Sequence, residues 1–159
     1  MRAKSGFTLV EILIVVVILG ILAAIVIPQF TEASTEAKES SLCTDLQTLR
    51  SQIELYKIQH DDRPPRLADF VAQMTRKTDV DGTVNPDDGK YGPYLQKVPS
   101  NPFVPDAVRA DDSGNGTIEA WGTAGSDTAS WQYDENTGKI RPADSYDGDG
   151  DGAPDHANL

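Results

Sequence analysis

One carboxylate lies inside the long apolar run near the start of the chain. Residues 7–27 contain a single ionisable side chain, Glu11, among aliphatic residues. As a helix this run would be about 31 Å long, enough to cross the hydrocarbon core of a bilayer. A carboxylate at mid-depth in lipid costs about 3 kcal/mol, and less near the interface. We therefore expect Glu11 to have a cationic partner, which a plain membrane anchor would not need.

A second group of carboxylates lies near the end of the sequence. Residues 147–158 place side-chain oxygens at positions 1, 3, 5 and 9 of a loop, with glycine at position 6. Calcium takes six to eight oxygen ligands, and this spacing wraps the backbone around one ion. The pattern predicts four calcium ligands: Asp147, Asp149, Asp151 and Asp155.

This acidic segment resembles a thrombospondin type-3 repeat as much as an EF-hand loop. Asn158 stands where an EF-hand has a bidentate glutamate, which implies a lower affinity. The alternative is a disordered acidic tail, because residues 143–159 contain no lysine or arginine.

The residues around the apolar run carry a specific resemblance. The order is a basic leader ending in Gly6, then Phe7-Thr-Leu-Val-Glu11, an aliphatic stretch and Pro28. A cleaved signal peptide has a shorter apolar stretch, and a simple uncleaved anchor explains neither Gly6 nor Glu11. The segment resembles the amino terminus of type IV pilins and of the pseudopilins of type II secretion, with the G-type major pseudopilin as the expected member.

The resemblance implies processing and assembly. A membrane-embedded prepilin peptidase would cut between Gly6 and Phe7 and methylate the new Phe7 amine. That amine and the Glu11 carboxylate then lie at i and i+4 on one helix face. They can pair within one chain or between neighbours, and the resemblance favours Glu11 of an incoming subunit docking on Phe7 of a placed one. A hydrated Glu11 stabilised by the positive helix end is the alternative.

Orientation and charge limit the partners. Arg2 and Lys4 precede the apolar run, so the positive-inside tendency predicts a single-pass inner-membrane protein with its C-terminal head in the periplasm. The net charge of −11 argues against nucleic acid as a ligand. The resemblance implies a homopolymeric filament, minor pseudopilins and an inner-membrane assembly platform as partners, and a periplasmic pseudopilus after assembly.

The helix is expected to continue past Pro28 to about residue 60. Apolar or aromatic side chains recur there at intervals of three and four and predict one buried face. They are Leu42, Leu46, Leu49, Ile53, Tyr56 and His60. Residues 61–65 include two prolines and should end the helix. Cys43 is expected to be semi-buried, and a short second helix is expected over 67–74.

The sequence from residue 91 to residue 141 predicts a small sheet. Residues 91–103 resemble the Gly-Pro-Tyr-Leu stretch of major pseudopilins, which leads from the helical part into the sheet. A weak strand is expected over 117–121, and a hairpin over 130–141 with Gly138 at its turn. We expect three aromatic side chains to cover the helix face: Trp121, Trp131 and Tyr133.

The sequence predicts an α+β, pilin-like architecture, with a long N-terminal transmembrane and filament-core helix packed on a small antiparallel sheet. Its expected parts are a leader (1–6), the long helix (7–60, with 7–27 in the membrane), a head (61–142) and the acidic tail (143–159). The expected function is that of a structural, non-enzymatic subunit of a type II secretion pseudopilus. A type IV pilus subunit for adhesion, motility or DNA uptake, or a membrane-tethered calcium-binding module, is the alternative.

Overall fold

The computed structural model describes residues 8–147 and 154–159, with the backbone alone for residues 157 and 158. Helix α1 spans Leu9–Gln59 and continues through Pro28, as the sequence predicts. Contacts divide the chain after Glu39, and Ser40–Leu159 forms the compact head unit. The part of α1 from Ser40 onward, about two fifths of the helix, therefore belongs to the head.

Helix α1 ends at Gln59, just before the proline-containing segment 61–65 that is expected to end it. Asp61 and Asp62 adopt left-handed backbone conformations, with φ of 55° and 62°. The Asp62 amide donates to the Lys57 carbonyl over 2.9 Å, which satisfies one of the last carbonyls of the helix. Aspartate tolerates this conformation better than most side chains.

The predicted face of α1 is the centre of the head's core. Its six side chains are at most 2% exposed, and the aliphatic members and Tyr56 cluster with Phe70, Met74 and Ile140. His60 packs as a structural histidine: its ring stacks on Tyr56 and its nitrogens lie 2.8 Å from Tyr56 O and 2.9 Å from Thr78 Oγ1. Cys43, in contrast, is exposed and not semi-buried; it lies to the side of this face, about 100° around the helix from Leu42.

The short second helix is confirmed as a 3-10 turn, Leu67–Asp69, followed by α2, Phe70–Thr75. A further one-turn helix, α3, covers Asp106–Arg109. A second 3-10 turn, Asp155–Asn158, lies near the end of the chain.

The sheet has three strands in sequence order: β1 (Ile118–Ala120), β2 (Trp131–Asp134) and β3 (Lys139–Pro142). The hairpin between β2 and β3 is antiparallel as predicted, and Gly138 at its turn has a φ of +76°. The sheet as a whole is mixed and not antiparallel, because β1 runs parallel to β2. Residues 121–130 carry the chain from the end of β1 back to the level of its start, so that β2 can run beside β1 in the same direction.

Two of the three predicted aromatic residues cover the helix face. Trp131 and Tyr133 are buried in the core, whereas Trp121 is 43% exposed and lies outside it. The Trp131 indole donates to Pro99 O over 2.6 Å, and the Tyr94 hydroxyl donates to Gln59 Oε1 over 2.7 Å. The stretch 91–103 therefore connects the end of α1 to the sheet, as its resemblance implies.

Candidate functional site

The Glu11 carboxylate is part of the N-terminal cap of α1. Its Oε2 accepts hydrogen bonds from Thr8 N at 2.8 Å and Thr8 Oγ1 at 2.7 Å, and the Glu11 amide donates to Thr8 Oγ1 at 3.2 Å. This is a capping box, in which the residue before the helix and the third helical residue satisfy each other's backbone groups. The Thr-x-x-Glu spacing was a signal for it in the sequence, and reasoning from Glu11 alone missed it.

Gly6 and Phe7, the predicted cleavage and methylation residues, lie outside the described residues. The geometry of the Phe7 amine relative to Glu11 therefore stays a prediction. The contacts with Thr8 stabilise the Glu11 carboxylate within one chain. This resembles the alternative given above, in which the positive end of the helix stabilises Glu11.

The first part of α1 is apolar on every side. Its large apolar side chains between Leu9 and Phe30 are each at least half exposed. Within the described ranges, α1 is the one helix long and apolar enough to cross a membrane. An apolar surface of this size on a helix needs lipid or neighbouring subunits to cover it.

The predicted calcium ligands are only partly within the described residues. Asp147 and Asp155 are described and exposed, whereas Asp149 and Asp151 lie outside the described residues. The Asp155 amide donates to Tyr146 O over 2.8 Å, so the two ends of the acidic segment lie together. Among the residues that the structure describes, no three potential metal ligands cluster.

A buried acid–histidine pair holds this part of the chain on the head, and sequence reasoning missed it. Asp144 is 1% exposed, and its Oδ1 lies 2.7 Å from His156 Nδ1. Its Oδ2 accepts from Asn101 Nδ2 over 2.5 Å. The His156 ring stacks on Tyr146, with centroids 5.1 Å apart, and lies 4.6 Å from Phe103. The described tail residues before and after 148–153 are thus packed and hydrogen-bonded.

One carboxylate, that of Glu119, organises residues 121–130, which connect β1 to β2. Glu119 accepts hydrogen bonds from the hydroxyls of Ser126 and Thr128 and, over 2.8 Å, from Gln132 Nε2. Partial burial raises the pKa of Glu119, but these three hydrogen bonds outweigh it, so the net pKa is lowered. Glu119 is therefore a structural carboxylate that fixes the connection between β1 and β2.

Comparison with known proteins agrees with the N-terminal features. Residues 1–27 match the model of the prokaryotic N-terminal methylation motif. No solved structure matches the chain.

Several curated relatives share one name, type II secretion system core protein G. The Vibrio cholerae protein is 33% identical over 129 residues, covering 80% of this chain and 84% of the relative. The Pseudomonas aeruginosa protein is 35% identical over 102 residues, covering 64% and 70%. The Dickeya chrysanthemi protein is 29% identical over 121 residues, covering 76% of each. The chain therefore belongs to the type II secretion system core protein G family, and it is a pseudopilus subunit in protein secretion.

Proposed function

We propose that the chain is made as a precursor whose leader, residues 1–6, is removed between Gly6 and Phe7. A prepilin peptidase makes the cut and methylates the new Phe7 amine. The observation that supports this proposal is the match of residues 1–27 to the methylation motif, with Gly6 before an apolar helix that begins at Leu9. Glycine, without a side chain, suits a scissile peptide held extended in a narrow site.

Cleavage gives Glu11 its partner. A terminal amine with a reference pKa of about 7.7–8.0 is largely protonated at neutral pH. We propose that the Phe7 ammonium of a placed subunit pairs with Glu11 of the incoming one. Both Thr8 bonds reach Glu11 Oε2, and a carboxylate has about four acceptor sites on its two oxygens. The capping box and an ammonium from a neighbour are therefore compatible.

The proposed role is structural, with no catalytic step. Arg2 and Lys4 remain on the cytoplasmic side, the apolar part of α1 spans the inner membrane, and the head lies in the periplasm. The inner-membrane platform then adds subunits one by one to a homopolymeric filament that pushes secreted proteins outward. Minor pseudopilins are its further partners.

The mass of the mature chain tests the processing step. In cells with the peptidase, the wild-type chain should lose residues 1–6 and gain one methyl group on Phe7. Gly6→Ala should leave an uncleaved precursor, because a side chain crowds the scissile bond, while Ser5→Ala should be cleaved normally. A mature chain that begins at Met1 would contradict the proposal.

We also propose calcium binding by Asp147, Asp149, Asp151 and Asp155. The hydrogen bond from the Asp155 amide to Tyr146 O supports it, because it brings the chain at Asp147 and the chain at Asp155, the first and last of the proposed ligands, close together. Calcium would neutralise part of the strong negative charge of this loop and fix its backbone.

Full-length protein in detergent tests the calcium site. EDTA should lower the melting temperature and added calcium should restore it, because an ion that binds only the folded state stabilises it. Replacing Asp149 and Asp151 together by asparagine should remove the effect, and Asp88→Asn, an exposed acid elsewhere, should keep it. The absence of both an EDTA shift and a calorimetric binding signal would overturn the proposal.

A further inference from the structure

An open groove of about 370 Å³ lies on the head, beside the part of α1 that belongs to it. This volume is within the range of about 300–1,000 Å³ that is usual for small-molecule sites. The lining comes from α1, the hairpin between β2 and β3, and the segment after β1. Six of its residues are Arg50, Glu54, Trp121, Thr137, Gly138 and Lys139. We call this surface the tryptophan groove.

Trp121 is the aromatic side chain of the groove, and packing of the core does not explain its position. It is 43% exposed and lies outside the core cluster, whereas Trp131 is fully buried within that cluster. The Arg141 guanidinium carbon lies 4.2 Å from the centroid of the Trp121 ring and covers one of its faces. Arg141 itself does not line the groove, so the part of the indole that faces the groove is free of this contact.

Hydrogen bonds around the indole hold it in place. The Trp121 amide donates to Tyr133 O over 3.0 Å. The Arg141 guanidinium donates to Gly122 O over 2.6 Å and to Gln132 Oε1 over 2.7 and 2.9 Å. An aromatic surface that is fixed before binding loses little conformational entropy when a ligand covers it. Trp121 is therefore a preorganised stacking surface.

The charges in and beside the groove are of both signs. Glu54 lies 3.0 Å from Lys57 Nζ, and Lys139 follows two carboxylates of the same hairpin, Asp134 and Glu135. These charges oppose each other and leave no net attraction for a strongly anionic or cationic ligand. They do supply hydrogen-bond donors as well as acceptors. The lining therefore suits a neutral ligand whose own groups both donate and accept.

A peptide fits this groove less well than a small polar ligand. Peptide recognition commonly uses a free strand edge or a deep apolar pocket for anchoring side chains. The hairpin contributes the residues of its turn to the groove, and β3 packs against the 3-10 turn Asp155–Asn158. The one aliphatic side chain of the lining, Ile140, is 1% exposed. The indole is thus the main apolar surface that the groove offers.

A sugar ring matches both the mixed polar lining and the single aromatic surface. Pyranose hydroxyls donate and accept hydrogen bonds. The C–H groups on one face of the ring carry a partial positive charge, which packs on the negative face of an aromatic ring. A β-1,4-linked glycan is a flat ribbon, so it can lie along an open groove and turn one ring face to the indole.

We infer that the tryptophan groove binds a neutral β-1,4-linked amino-sugar glycan of the kind found in bacterial cell walls. One sugar ring stacks on Trp121, and its polar groups bond to Lys139 and Glu54. The choice of a cell-wall glycan rests on the proposed function, which places the head in the periplasm, whereas the stacking chemistry rests on the groove alone. The partner of this surface is the wall and not another subunit.

Tryptophan emission tests binding in the full-length protein, held in a detergent without a sugar headgroup. The probe is the β-1,4-linked tetramer of N-acetylglucosamine. The chain has two tryptophans, and Trp131 is fully buried, so a change in emission on titration reports Trp121. The tetramer should cause a saturable blue shift and should protect the emission from quenching by acrylamide.

Calorimetry with the same probe tests which residues bind it. Trp121→Ala should weaken binding about tenfold or more, because an exposed tryptophan at the centre of a contact carries much of its energy. Trp121→Phe keeps an aromatic ring and should retain most of the affinity. Ile58→Ala removes an exposed apolar side chain of α1 outside the groove and should bind as the wild type does. Unchanged melting of each variant excludes a folding defect.

Salt and a second sugar separate this contact from other kinds of binding. Affinity should change by less than about twofold between about 0.05 and 0.5 M salt, because the probe is uncharged. Maltotetraose, whose α-1,4 links curve the chain, should bind more weakly than the tetramer of N-acetylglucosamine.

The absence of a saturable shift, or equal binding by Trp121→Ala and the wild type, would overturn the inference. Binding that disappears at high salt, or equal affinity for maltotetraose, would also overturn it. Failure of the proposed filament function is distinguishable, because binding is measured on unassembled protein. A chain that assembles normally and binds no glycan would contradict this inference alone.

Discussion

At the scale of single residues, the carboxylates of this chain have distinct roles. Glu11 caps a helix inside an apolar segment, Glu119 holds a connection between strands, and Asp144 is buried against His156. Each is fixed by its hydrogen-bond donors, which are close in sequence for Glu11 and more distant for Glu119 and Asp144. Of these three carboxylates, only Glu11 stands out in the sequence, because its surroundings are so apolar.

Glu119 gives a pH-dependent prediction. A carboxyl group whose folded pKa lies below its unfolded value stabilises the fold above the unfolded pKa, and that stabilisation is lost as pH falls through the folded pKa. Glu119→Gln should therefore lower the free energy of unfolding by about 1–2 kcal/mol at pH 7. The difference from wild type should shrink as pH falls below 4.5, the ordinary glutamate value.

Unfolding of full-length protein in detergent between pH 7 and pH 3 measures this effect. Glu32→Gln, at an exposed position on α1, serves as the control and should differ little from wild type at any pH. A gap between Glu119→Gln and wild type that stayed constant down to pH 3 would show that its charge is irrelevant.

At the scale of elements, the second part of α1 is stabilised by one buried face. Two isoleucines on the same helix allow a matched test, since Ile53 is fully buried and Ile58 is 79% exposed. Ile53→Ala should cost about 3 kcal/mol of unfolding free energy, because it removes buried methyl groups and leaves a cavity. Ile58→Ala should cost less than about 0.5 kcal/mol. Chemical denaturation in detergent compares them, and equal losses would contradict the packing described.

The elements also show which parts of the fold the sequence could predict. The α1 face, the hairpin and the second helix were predictable, because each depends on local spacing of three or four residues or on a glycine at a turn. The parallel direction of β1 was not, because it depends on the path of residues 121–130 and their contacts with Glu119. The exposure of Trp121 follows from the same path.

The candidate sites also include features that the sequence predicts and features that depend on contacts between distant residues. The apolar helix and the isolated carboxylate of Glu11 within it are visible in the composition, and residues 1–27 match the methylation motif, whereas the role of Glu11 in assembly stays a prediction. The pairing of Asp144 with His156 joins side chains that are 12 residues apart in the sequence. No local pattern encodes that pairing, so sequence reasoning left His156 without a role.

At the scale of the whole molecule, the chain combines an apolar helix segment with an acidic head, which suits the proposed assembly of subunits from the membrane. In the proposed assembly, the exposed apolar side chains of residues 9–30 would exchange lipid for neighbouring helices as a subunit enters the filament. Packing of this kind is weakly directional, so a single charge pair can define the depth at which the incoming helix stops.

The most direct test is the filament yield of Glu11→Gln in cells that process the chain normally. Glutamine retains the capping box with Thr8 but removes the negative charge, whereas Thr8→Ala disrupts the box and keeps the charge. If Glu11 pairs with the Phe7 ammonium of a neighbour, Glu11→Gln should insert in the membrane and lose assembly, and Thr8→Ala should still assemble. Wild-type filament yield from Glu11→Gln would contradict the pairing.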